Sequence, residues 1–282
     1  LNNLPLQFYE ESLPGVDCSE LRGKLIVIEG PDSVGRSTQI ALLRQWLEQE
    51  GHAVLDSGMA RSALAGEAIQ KAKEGNTFGP VTMTLFYITD FADRLEREII
   101  PALRAGFVVL TDRYMYSIIA RSVVRGVDPQ WVRSLLGFAL VPDAIFYLRA
   151  TVEHLIPRVL SARGFDYWES GMDFMGYADY YESFCAYQRR MLEVFDQLGK
   201  EYGFKPSGTG PFKLLDYVAG ARCTMVKNDK YWGKDAAGNS LPYVDKLTIN
   251  IIPDEAAMGV ALETGQIDVS VVFPKDVKKF QA

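Results

Sequence analysis

The stretch Gly30-Pro31-Asp32-Ser33-Val34-Gly35-Arg36-Ser37-Thr38 constrains the fold of this chain more than any other. It follows the apolar run Leu25-Ile26-Val27-Ile28 and opens into Gln39-Ile40-Ala41-Leu42-Leu43-Arg44-Gln45-Trp46-Leu47. The run does not alternate, so it reads as a strand buried on both faces. Apolar residues at 40, 43 and 47, with 42 and 46 alongside, have helical spacing. A glycine-bracketed turn between a buried strand and a helix is the setting of a phosphate-binding loop, or P-loop. Gly30 and Gly35 permit backbone angles that a side chain forbids. The intervening amides can then face phosphate oxygens, with the helix N-terminus adding partial positive charge. All nine residues are expected to line a nucleotide's phosphates, with Ser37 placed to ligate Mg²⁺ and Thr38 beginning the helix. The usual lysine is replaced by Arg36, which exchanges a compact point charge for a planar fork that still binds phosphate bidentately.

The rest of the composition bounds this expectation. At 282 residues the chain holds one large domain or two modest ones. A net charge of −6 argues against a general nucleic-acid binder, so a nucleotide site must gather its positive charge locally. Cys18, Cys185 and Cys223 lie far apart and outside any CxxC, which indicates neither a disulfide framework nor a zinc site. His52 and His154 are expected at helix ends or on the surface. No run of about 18 apolar residues marks a membrane span. The acidic start, broken by Pro5 and Pro14, lacks the form of a signal peptide.

In chain order, residues 1–22 read as a loosely structured extension with a short helix. Ala53–Ser57 reads as a second strand, followed by a small-residue loop and a helix over about 63–73. Val81, Leu85, Ile88, Ala92, Leu95 and Ile99 mark one buried face of a long helix over 80–104, with Pro101 expected to kink it. Phe107–Leu110 reads as another buried strand, closed by Thr111-Asp112-Arg113-Tyr114, and Asp143–Leu148 as the next strand. Helices are expected at 115–126, 129–139, from Val152 behind the cap Thr151, and at 177–202. Strands alternating with helices from 23 to 202 give an α/β fold with a doubly wound parallel sheet and flanking helices. Beyond 204 the chain changes to turn signals and short strands, a small α+β C-terminal segment. The expected division is 1–22, 23–204 and 205–282.

Residues 23–204 resemble the thymidylate kinases among the P-loop nucleoside monophosphate kinases. The residues that carry this are Ile28-Glu29-Gly30 through Thr38-Gln39, Asp112-Arg113-Tyr114 with Ser117, Pro142-Asp143 before a strand, the Ala162-Arg163-Gly164…Asp166…Glu169 loop, and the final long helix. The resemblance implies a cytoplasmic, ATP- and Mg²⁺-dependent transfer of a γ-phosphate to dTMP, chemistry that needs charge neutralisation and alignment rather than a covalent nucleophile. It further implies Ser37 and Asp112 toward the metal, Arg113 on the acceptor phosphate, Asp32 facing the acceptor sugar, and Arg163 closing on the migrating phosphoryl group from a lid. With Arg36, these make Arg36, Arg113 and Arg163 the expected catalytic cations. The base-stacking phenylalanine falls on Tyr87 and the base-reading arginine on Phe91, with Arg94 one helical turn on as a substitute. Ser117 and Arg121 complete the expected acceptor site; Arg121-Ser122 replaces the family's Tyr-Gln, Tyr167 replaces a lid arginine, and Gly58-Met59-Ala60 replaces Arg-Glu-Pro, with Arg61 nearby. Phosphate and metal groups are thus kept better than base-reading groups, and a nucleotide-binding protein without turnover remains the alternative. The family tends to dimerise through helices beside the sheet, and this chain offers apolar candidates.

Residues 205–282 resemble a fragment of the oligopeptide/nickel-type solute-binding proteins of ABC transporters. The carriers are Pro206–Leu214, Asn228–Gly233, Tyr243–Thr248, Ile251–Asp254 and Gly265–Val269. A solute-binding module is the third functional reading, opposed by the missing lobes. The kinase half stops where its family continues into a last strand and helix, so the tail reads as a foreign segment, by artefact or natural fusion. Leu247–Ile252 with the following helix is expected to dock at the kinase sheet edge in place of the missing strand; an open edge would invite aggregation.

Overall fold

The computed structural model describes residues 6–162, 164–203, 210–218 and 220–271. The chain divides into two compact units, Leu1–Phe204 and Lys205–Ala282.

The first unit is built on a parallel sheet of β1 (Lys24–Glu29), β2 (Val54–Gly58), β3 (Val108–Asp112) and β4 (Ala144–Tyr147), in the order β2-β3-β1-β4. Ile28 and Gly58 both stand opposite Asp112, so β1, β2 and β3 end level with one another. The loops that follow them therefore share one end of the sheet, where α/β folds bind ligands. The non-alternating apolar runs behave as expected for strands covered on both faces: Leu25, Val27, Val109 and Leu110 are fully buried.

The helices are α1 (Arg36–Gln49), α2 (Gly66–Gly75), α3 (Pro80–Arg94), α4 (Ile100–Arg104), α5 (Met115–Val124), α6 (Pro129–Leu135), α7 (Val152–Ala162) and α8 (Tyr180–Glu201). Asp128 and Asp179 cap α6 and α8 by accepting the N–H groups of Trp131 and Glu182. Between α3 and α4 lies a π-helical turn, Leu95–Ile99. Pro101 was expected to kink one long helix; the irregularity instead takes the form of a π-turn just before it. A proline cannot donate to the carbonyl four residues back and its ring crowds that carbonyl, and a wider turn relieves both problems. The main core joins Tyr87, Phe91, Leu95 and Ile99 to Tyr114, Tyr116, Tyr187 and Phe195.

The N-terminal segment corrects the sequence reading. Residues 6–22 are not loosely attached. Leu6 and Leu21 are buried, Phe8 bridges to Leu140, and the N–H groups of Tyr9 and Glu10 donate to Ala139 and Gly137. Tyr9 packs edge-on against Tyr202 and its hydroxyl meets that of Tyr116. Turn residues and prolines hide this apolar set from any periodic pattern, yet Tyr9 packs where α5 meets the C-terminal end of α8.

The second unit holds an antiparallel sheet of β5 (Phe212–Val218), β6 (Arg222–Lys227) and β7 (Lys246–Asn250), then α9 (Glu255–Glu263) capped by Asp254. Residues 246–250 pair with β6, not with the parallel sheet, which corrects the expected edge docking. The local hairpin partner wins because its closure entropy is small.

Deleting residues 1–22 removes two buried leucines and the Tyr9 contacts, a loss of about 3–6 kcal/mol. The midpoint of thermal unfolding of the first unit is predicted to fall by about 6–20 °C. Calorimetry of the shortened chain checks this, and an unchanged midpoint would contradict the packing role.

Candidate active site

The loop between β1 and α1 is held by its two glycines. Gly30 has φ 145° and Gly35 φ 105°. A Cβ on Gly30 would come within 2.5 Å of the Leu148 carbonyl oxygen. Gly35 is the N-cap, so α1 begins at Arg36 rather than at Thr38. Arg158 on α7 donates to the Val34 carbonyl at 2.8 Å and braces the loop from outside.

A second turn, after β3, carries Arg113 at φ 71°, unusual for a residue with a side chain. Its cost, about 1–2 kcal/mol, is offset by a set of fixed partners. The Arg113 N–H donates to Ile28 O, and its carbonyl accepts from the Thr111 hydroxyl at 2.7 Å. The fully buried Glu29 accepts from the N–H groups of Tyr114 and Ser117 and from the Ser117 hydroxyl. Burial raises the Glu29 pKa, against the lowering effect of those hydrogen bonds.

Between these turns lies a cavity of about 400 Å³ lined by Asp32, Ser33, Arg36, Ser37, Asp112 and Arg113, with Met59–Arg61, Lys73, Arg121, Ala162 and Glu169 completing it. Asp32 lies at its centre and is 3% exposed. It bridges two cations: Arg113 binds its Oδ1, and Arg121 Nη2 reaches both oxygens at 3.0 Å. Burial alone would raise the Asp32 pKa, but Arg113, Arg121, Arg36 and Lys73 hold it far below the ordinary carboxylate range. The two arginines respond differently. Burial lowers the Arg113 pKa, helped by neighbouring Arg36, whereas for Arg121 the attraction of Asp32 overrides burial and raises it. Arg113 Nη1 and Arg121 Nε and Nη1 are buried with no hydrogen-bond partner among the described residues. Such donors are costly unless a ligand completes them.

Arg36 is folded back across its own loop. Its Nε donates to Asp112 Oδ1 at 2.6 Å, and its Nη1 to the carbonyls of Gly30 and Pro31. Asp112 is also faced by Arg61 at 3.7 Å. Ser37 and Asp112 bring only oxygen donors, and no group of three or more His, Cys, Asp or Glu that could hold a metal occurs among the described residues. That donor set fits Mg²⁺, which binds through few protein ligands plus phosphate oxygens and water.

Four residues expected at the acceptor do not line the cavity. Tyr87, Phe91, Arg94 and Ser117 are each at most 1% exposed. Phe91 packs edge-on against Tyr114 at 4.8 Å and against Phe138 at 5.6 Å, as a core residue. Arg94 is tied to Asp90 at 3.0 Å and reaches the Ser57 hydroxyl. Asp90 in turn accepts the N–H groups of Ala60 and Ser62, so this pair holds the loop after β2. Ser117 serves Glu29. The carboxylate of Asp32, expected to face a sugar, is occupied by arginines. Arg163 lies outside the described residues.

Sequence reasoning missed Lys73 and the clamp around Arg125. Lys73 falls four residues after the buried Ile69, a spacing that puts it beside the buried face of α2. Arg125, one turn after Arg121, makes a bidentate pair with Asp173, donates to Tyr187 and to the Trp168 carbonyl, and stacks 3.9 Å from the Trp168 ring centre. It fixes the loop before α8 to α5.

Asp32→Asn leaves two buried cations unpaired and is predicted to cost about 3–5 kcal/mol. Its depressed pKa gives a signed pH dependence. The Asp32 contribution is complete above the unfolded carboxylate value, about 3.9, and declines as pH falls below it toward the lower folded value. Urea unfolding of the variant should therefore show a weaker loss of stability below pH 4 than the parent chain; parallel pH profiles would contradict the charge bridge.

Comparison with known proteins places this geometry. Residues 28–198 match the family model described as thymidylate kinase, and residues 168–282 match that of bacterial extracellular solute-binding proteins, family 5 middle. A probable thymidylate kinase 2 of Saccharolobus solfataricus is 41% identical over 64% of this chain and 85% of its own length. A probable thymidylate kinase of Thermococcus kodakarensis is 35% identical over 49% of this chain and 72% of its own. A thymidylate kinase structure from Ehrlichia chaffeensis aligns with a TM-score of 0.49 at 18% identity, over 64% of this chain and 89% of that one. The family match spans most of the chain, and the chain belongs to the thymidylate kinase family of ATP-dependent phosphotransferases.

Proposed function

We propose that this chain transfers the γ-phosphate of ATP to dTMP, giving dTDP, and acts in the cytoplasm. The observation that carries the reading is the lining of the cavity, where Arg36, Arg61, Lys73, Arg113 and Arg121 outnumber Asp32, Asp112 and Glu169 in a chain that is acidic overall. Such a site selects polyanions from solution.

The donor phosphates rest on the amides of residues 30–38 and on the Arg36 guanidinium. Ser37 and Asp112 would hold Mg²⁺, which neutralises charge on the transferring phosphate when bound. Arg113 grips the acceptor phosphate through its uncommitted Nη1 and aligns it with the donor. Arg163, next after Ala162, stabilises charge on the migrating phosphoryl group. The bridging Asp32 keeps Arg113 and Arg121 from turning away, so little reorganisation accompanies the reaction.

One observation favours a second reading, a nucleotide-binding protein without turnover. Arg36 commits its Nε to Asp112 and its Nη1 to two loop carbonyls, which leaves only Nη2 to meet a phosphate unless one of these bonds is exchanged. The rate of ADP release from Mg-ATP, measured with a panel of nucleoside monophosphates, separates the two. The proposal expects release that depends on dTMP and falls about 10²–10³-fold in Arg36→Ala. A folded chain that binds ATP but shows no acceptor-dependent release would overturn it.

A further inference from the structure

The cavity's cations are not equally committed. Arg36 is paired with Asp112, Arg61 with Asp56 at 3.2 Å, and Arg113 and Arg121 with Asp32. Lys73 is different. It lines the same cavity, yet no hydrogen bond or ion pair engages its ammonium among the described residues. The contact it does make is with an aromatic face, its Nζ lying 5.8 Å from the centre of the Tyr87 ring. Its side chain is half-buried on the last turn of α2, so the ammonium is partly desolvated with no carboxylate in direct contact among the described residues. That arrangement is unfavourable in isolation and becomes favourable when an anion enters.

Its location says which anion. The field of Lys73 reaches Asp32, the carboxylate that gathers Arg113 and Arg121. Arg121 presents Nε and Nη1 to no partner, and Arg113 likewise Nη1. The Tyr87 ring under the Lys73 ammonium also acts on Arg121, which sets Lys73 beside the Arg113–Arg121 group. The loop after β2 supplies no free cation, since Gly58-Met59-Ala60 are uncharged and Arg61 is paired with Asp56 and approached by Asp112.

We propose that Lys73, together with the open donors of Arg121, binds the phosphate of the acceptor nucleotide alongside Arg113. The inference rests on the nucleotide kinase reading and adds to it the residues that hold the acceptor. A dianionic phosphate flanked by Arg113, Arg121 and Lys73 finds charge-assisted donors on more than one side. The ammonium acts as a mobile point charge where the two arginines act as fixed forks.

The test is Lys73→Met, which keeps the apolar stem over Tyr87 and removes the charge. Steady-state kinetics should show the KM for dTMP raised about tenfold or more, equivalent to about 1.4 kcal/mol, with kcat and the KM for ATP within about twofold. Lys73→Arg should recover most of the loss. Calorimetric titration should show weaker binding of dTMP but unchanged binding of thymidine, which lacks the phosphate. An unchanged KM for dTMP, or equal weakening of dTMP and thymidine, would overturn the proposal. If the parent chain lacks turnover, the kinase reading fails separately, and the titrations still decide. A preference for dTMP over thymidine that disappears in Lys73→Met supports the assignment, and a preference that survives, or no binding of either, overturns it.

Discussion

The organisation of the first unit depends on a single buried carboxylate. Asp32 is almost fully enclosed, yet two arginines from different parts of the chain converge on it. Burying any of the three alone would cost several kcal/mol, so the cluster is stable only when all are in place. That requirement couples three segments. Asp32 comes from the loop after β1, Arg113 from the turn after β3, and Arg121 from the second turn of α5. The strands supply the precondition, because the register that sets Ile28 opposite Asp112 brings the two loops to the same level. Glu29 adds a second tie by fixing the N–H groups of Tyr114 and Ser117, and so the backbone that bears Arg113.

The same cluster sets the chemistry of the cavity. Each arginine spends part of its fork on Asp32 and leaves other N–H groups open. A carboxylate that orients cations without using all their donors makes a pre-formed anion site. The pair of Arg36 and Asp112 works differently, since there the cation is closed onto its partners and the loop carbonyls. The arginines lining the cavity are thus committed to different degrees, a contrast that neither charge counting nor motif matching reveals.

How much of this could be read from the sequence follows from what each signal depends on. The phosphate-binding loop was legible because it is local: two glycines, a buried strand and a helix occur within two dozen residues. The position of Asp112-Arg113 at the end of β3 was legible because polar residues closing an apolar run mark where a parallel strand leaves the sheet. Tyr87, Phe91 and Arg94, placed by the family resemblance, lie on the buried face of α3 with Met83, while Val81 and Leu85, which the apolar spacing set on that face, are exposed. Phe91 takes part in the core, and Arg94 has Asp90 one turn earlier, a spacing that already signals an i,i+4 pair. Arg125 was invisible because its partners Trp168, Asp173 and Tyr187 lie more than 40 residues away. The second unit was legible as short strands and a capped helix, but not in its pairing. Its sheet leaves Leu215, Tyr217 and Ile249 exposed, as expected of a segment holding only part of a larger core.

The most direct test is a crystal structure of the chain with dTMP and a non-hydrolysable Mg-ATP analogue. The account predicts the acceptor phosphate within about 3 Å of Arg113 Nη1 and of Arg121 Nε or Nη1, with Asp32 still bridging the two guanidinium groups from behind. A phosphate bound elsewhere, or arginines that leave Asp32 to reach it, would contradict the claim that this carboxylate holds a ready-made anion site.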